Sequence, residues 1–192
     1  MPPKQPSLRD HFLISMPHMH DLHFAQTVTY ICDHSEYGAM GIVINRQIDL
    51  QLNDLLKHLE LEREIQVRDN RPIYAGGPVQ GERGFVLHRT PQGTTPPWLA
   101  SYQVTDEVCL TTSIDILEAI ACGSGPSDAL IALGYAGWGA GQLEREISEN
   151  AWLSCPANLD IIFRIPADER LQAAASTLGI NLDLLTAQAG HA

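Results

Sequence analysis

Histidine is the first residue type in this chain that could do chemistry. His18, His20, His23 and His34 fall close together, with Asp21 and Asp33 among them. Closely spaced His and Asp side chains can converge on zinc. The run H-x-H-x-x-H follows Pro17 and matches neither HExxH nor a Cys/His finger. A solvated histidine-rich loop is the simpler reading, and no metal and no cofactor is assigned. A second candidate is the tract Gly134 to Gly141, four glycines in eight residues ahead of a helical pattern. It has neither GxxxxGK[ST] nor GxGxxG spacing. Glu144 and Glu146 follow it and would repel phosphate, so it reads as a tight strand-to-helix turn. Gly76-Gly77-Pro78 reads as a sharp turn. No GxSxG is present, and no catalytic residue is assigned.

Two candidate sets remain. Asn45 and Arg46 close an apolar strand, while Gln142, Glu144 and Asn150 lie on a polar helix after the glycine tract. Strand ends and helix starts are where sites usually form, so these five residues are a candidate ligand or partner surface. Ordinary capping and surface ion pairs are the competing account. Cys32 is a minority redox candidate. Its neighbours Val28, Tyr30 and Ile31 supply no cation, while Asp33 and Glu36 supply acids. Acids and an apolar strand oppose a thiolate, so a buried, reduced thiol is expected. Only His34 could reverse this, being on the same face if the strand continues that far. The four cysteines show no CxxC spacing, which fits a reducing compartment.

The elements that must hold these residues follow from periodicity. Phe12-Leu13-Ile14, Gln26–Asp33 and Ala39–Ile44 read as strands, the last two forming a hairpin around a polar turn at 34–38. Leu52, Leu55, Leu56 and Leu59 give a helix over 50–61. Ile73 to Ala75, Phe85 to His88, Tyr102 to Val104, Glu107 to Thr111 and Ala129 to Leu133 read as strands. A helix runs from Ser113, its N-cap, to Cys122, with Ile114, Leu117, Ile120 and Ala121 as its stripe. Gln142 to Asn150 is a polar helix, Trp152-Leu153 and Ile161-Ile162-Phe163 are short strands, and Ala167 to Leu178 is a final helix. Strand pairs and helices mix without strict alternation, which gives an α+β or mixed α/β class. Residues 1–10 read as a flexible arm and 11–192 as a single domain.

The 192 residues carry 12 Lys+Arg against 23 Asp+Glu, a net charge of −11. Residues 97–192 hold only three basic residues, Arg145, Arg164 and Arg170. A duplex reader needs several phosphate-contacting cations on one face, so direct nucleic-acid binding is not expected. Attraction to an anionic membrane is not expected on the same ground. Long-range steering favours cationic partners. No apolar run reaches the ~18 residues of a membrane span, and no secretory h-region opens the chain.

Three segments, PHMHDLHFAQTVTYICDHSEYGAMGIVINR, YAGGPVQGERGFVLH and GYAGWGAGQLEREISENAWL, closely resemble the AlgH family, also called YqgE/AlgH or UPF0301. The resemblance runs from about residue 8 to the closing AGHA tail. It implies a bacterial cytoplasmic protein whose mixed α+β fold is a bifurcated sheet curled into a pseudo-barrel with flanking helices. It implies no established enzymatic activity and offers no catalytic residues to carry over. The family name comes from transcriptional regulation of alginate biosynthesis, without a DNA-binding motif. The resulting expectation is a regulatory protein acting through a protein partner or small ligand. The alternative is an enzyme or ligand-binding protein with a polar pocket near Arg46 and Glu144.

Overall fold

The computed structural model describes residues 5–61 and 65–189, with side chains of the last helix described to residue 185. The chain forms two compact units, residues 1–45 with 136–192, and residues 46–135. The fold is mixed α+β. Among the described residues no helix is long and apolar enough to cross a membrane.

The first unit is built on β1 (His11–Ser15), β2 (Val28–Ser35), β3 (Gly38–Val43) and β10 (Trp152–Pro156). β1 lies antiparallel between β10 and β2, and β2 makes the expected hairpin with β3. β9 (Ala129–Gly139) pairs its second half with β3, Ala39 opposite Trp138. The glycine tract is therefore strand up to Gly139, not a turn. Gly38 shows why glycine is needed here. Its φ is +137°, and a Cβ would run into the Trp138 carbonyl.

One face of this sheet buries Leu13, Ile31 and Trp138 with Trp152, under Leu143 of α3 (Gln142–Ser148). Other buried side chains of the unit include Phe12, Tyr30 and Ile42. α5 (Arg170–Thr177) packs on β1 and β2. α4 (Leu159–Phe163) replaces the strand expected at Ile161–Phe163. Asn158 decides it: its Oδ1 accepts from the Asp160 and Ile161 amides and caps a helix. A 3₁₀ turn at Ala167–Glu169 leads into α5, and α6 (Leu182–Ala189), absent from the periodicity reading, follows Gly179.

Residues 1–4 of the arm read from the sequence, and 190–192 of the closing tail, lie outside the described residues. Residues 7–10 are tied to β2. The Leu8 amide donates to His34, and the Asp10 amide donates to the Ile31 carbonyl.

In the second unit the first half of β9 pairs parallel with β5 (Pro72–Ala75) and antiparallel with β6 (Val79–Arg89). β4 (Gln47–Gln51) adds to β5, while β8 (Val108–Thr111) adds to β6 and β7 (Ser101–Gln103) adds to β8. The strand pairing thus forks at β9. α1 (Leu52–His58) and α2 (Ile114–Ala121) share a core of Leu52, Leu56, Ile73, Ile116 and Ile120. The stripe of α2 is rotated from the expected one, because Ile116 is fully buried while Ile114 is 46% exposed. Ser113 sits at the N-cap position but its hydroxyl donates to Asp115 rather than capping.

Candidate functional site

The β2–β3 hairpin and α3 bring His34 and Glu144 together. The side chain of His34 is 5% exposed, and its Nε2 lies 2.7 Å from Glu144 Oε1. Its Nδ1 lies 2.8 Å from the Leu8 amide nitrogen. A backbone N–H can only donate, so Nδ1 is the acceptor. The neutral ring then carries its proton on Nε2 and donates it to the carboxylate. Both nitrogens are committed, which leaves this imidazole no lone pair with which to act as a general base. Desolvation pushes the Glu144 carboxyl up, but its own backbone amide and the hydrogen bond from His34 outweigh this, and its pKa is lowered.

Beside this pair opens a groove of about 550 Å³ whose wall includes Ser7, His34, Ser35, Glu36, Tyr37 and Glu144. Among the described residues its ionisable lining contains carboxylates and the committed imidazole, with no lysine or arginine. Tyr37, at the hairpin tip, is 83% exposed. The groove can therefore take a cation, using two carboxylates and an aromatic face.

A hydrogen-bonded network ties α3 to β9 and β10. Trp138 and Trp152 both donate their indole N–H to Glu146 Oε2, at 2.6 and 3.3 Å. Gln142 reaches Glu146 Oε1 at 3.5 Å, and its own Oε1 accepts from the Gly139 amide at 3.0 Å. Phe24 packs against both tryptophans, whose rings are 6.0 Å apart and edge-to-face. Glu146 fixes where α3, and so Glu144, sits against the sheet.

The five polar candidates divide accordingly. Glu144 belongs to the His34 pair and Gln142 to the tryptophan network. Asn45 ties the end of β3 to β2, accepting from the Val28 amide and donating to the Gln26 carbonyl. Asn150, with φ +59°, terminates the turn after α3. Arg46 falls in the other unit, where its carbonyl accepts from the Ala75 amide. Periodicity could not pair His34 with Glu144, 110 residues apart. It did place one on a hairpin and the other on the helix after the glycine tract.

Among the described residues no three His, Cys, Asp or Glu side chains are placed to hold a metal. Cys32 is fully buried and occupies a bulge between Ile31 and Asp33. Desolvation, then the charge of Asp33, pushes its thiol far up, against a smaller pull from Arg9. His34 spends its nitrogens on Leu8 and Glu144. Cys109 and Cys155 are buried as well, while Cys122 is exposed.

The forked mixed sheet is a fold seen in solved proteins. The chain matches the AlgH-like family over residues 12–183 and belongs to it. It is 56% identical over 189 residues to the UPF0301 protein AlgH of Pseudomonas aeruginosa strain PAO1, covering 96% of each chain. A UPF0301 protein of Thioalkalivibrio sulfidiphilus is 55% identical over 181 residues, covering 94% of this chain and 95% of that one. The solution structure of Pseudomonas aeruginosa AlgH superposes with a TM-score of 0.77 at 51% identity, covering 98% of both chains. A crystal structure from Corynebacterium diphtheriae shares the fold, with a TM-score of 0.74 at 21% identity over 96% of this chain and 94% of that one.

Proposed function

We propose that this chain is a cytoplasmic regulator of transcription that works through a basic segment of a protein partner, without touching DNA itself. The observation that carries the reading is the hairpin groove. It presents Glu36, Glu144 and the exposed ring of Tyr37, and among the described residues no basic side chain lines it. The same chemistry repels phosphate, and the net charge of −11 adds to that repulsion. The aromatic and the carboxylates match lysine or arginine side chains of a partner. The family resemblance supplies the regulatory context. A mobility-shift titration with promoter DNA, run beside anisotropy of a labelled lysine-rich peptide at physiological salt, tests this. Peptide binding without DNA binding supports the proposal. Tight DNA binding that weakens steeply with salt overturns it.

A further inference from the structure

The second unit carries a separate cavity of about 250 Å³ where α1 and α2 face β6 and β8. Its walls include aliphatic side chains: Leu55 from α1, Leu59 at the C-cap of that helix, Ile114 and Leu117 from α2, and Val86 from β6. Leu59 is 37% and Ile114 46% exposed, so two large apolar side chains stand at its mouth in water. Packing of the unit does not need them there, since α2 turns Ile116 and Ile120 to the core instead. Polar side chains, Arg83, Thr111, Thr112 and Ser113 among them, line it as well. Arg83 lines the cavity and donates to the Thr112 hydroxyl at 3.3 Å. A second bond from Arg83, to Gln80, is also 3.3 Å long. These are long contacts to neutral oxygens, which an incoming carboxylate would replace with a shorter, charge-assisted pair. Glu82 lies beside Arg83 in the lining and opposes an anion.

We propose that this cavity binds a small aliphatic carboxylate, its chain against Leu55, Ile114 and Leu117 and its head group on Arg83 and Thr112. The volume sets the size. At about 250 Å³ the cavity lies below the roughly 300–1,000 Å³ of common ligand pockets, which suits a small ligand with a short acyl chain. Among the described residues Arg83 is the lining's basic residue, and it sets the charge of the head group. Glu82 sets a limit on affinity. The site is distinct from the hairpin groove, and either can fail without the other.

Octanoate titrated into the full chain, followed through the methyl resonances of Leu55, Leu59, Ile114 and Leu117, is the test. Saturable shifts confined to these methyls are expected, with 1-octanol binding at least fivefold more weakly. Arg83→Met should weaken octanoate roughly tenfold, as loss of a charge-assisted pair does. Glu82→Gln should tighten it about twofold, and neither change should alter octanol. Val86→Phe should fill the cavity and abolish the shifts. Both charge variants alter exposed side chains, and their spectra report folding directly. Absence of saturable shifts, equal binding of octanol, or indifference to Arg83→Met would each overturn the proposal.

Discussion

His88 offers a quantitative test of the second unit. Its ring is fully buried on β6, with Nε2 2.7 Å from the Thr111 hydroxyl. Nδ1 has no partner of hydrogen-bonding geometry, and a contact with the Arg89 backbone compensates only in part. Desolvation therefore lowers its pKa from 6.5 to about 4. The fold binds the neutral ring, so acid favours the unfolded chain. The stabilisation is complete above about pH 6.5, declines as pH falls, and is gone below about pH 4. The full span is worth about 3 kcal/mol, of which about 2 kcal/mol disappears between pH 7 and pH 5. Urea unfolding of the wild type and of His88→Gln at pH 7, 6 and 5 measures it. The variant should be less stable at pH 7, and the gap should close by about 2 kcal/mol at pH 5. Curves that stay parallel would refute the neutral, desolvated imidazole.

Other outcomes follow from the same reasoning. Glu146→Leu leaves the Trp138 and Trp152 indole N–H groups without an acceptor and should cost about 3 kcal/mol in urea unfolding. Gly38→Ala combines a positive φ with a backbone clash and should cost about 2 kcal/mol or more by the same assay. Native Cys32 should alkylate more slowly than a free model thiol at neutral pH, read by mass spectrometry, with Cys122 labelling first. Faster labelling of Cys32 would contradict its buried, protonated state.

Much of the fold is legible in the sequence wherever burial and period agree. The hairpin of β2 and β3, the leucine stripe of α1 and the strand at Ala129 are of this kind. Ile161–Phe163 misleads because three apolar residues satisfy either period, and the cap from Asn158 outweighs their β propensity. The glycine tract misleads for another reason. Gly134 takes a positive φ within β9, where a Cβ would run into the Gly77 carbonyl, and Gly141, also at positive φ, is the N-cap of α3, so the strand continues between them. Ile114 misleads because Ser113 gives its hydroxyl to Asp115, and α2 starts with a different face inward. At the site, residue types were legible but partners were not. His34 stood among the histidines and Glu144 among the polar helix residues. Only the packing of α3, fixed by Glu146 between two tryptophans, joins them.

The central claim is that the hairpin groove receives a basic segment of a partner. A lysine-rich peptide titrated into the isotopically labelled full chain tests it directly, with Tyr37→Ala and Glu36→Gln measured alongside. Neither side chain belongs to the tryptophan network, and both are exposed. Amide shifts should concentrate at Ser35, Glu36 and Tyr37, and Tyr37→Ala should weaken binding several-fold while leaving the fold intact. Shifts scattered over the surface, or affinity unchanged in both variants, would contradict the account.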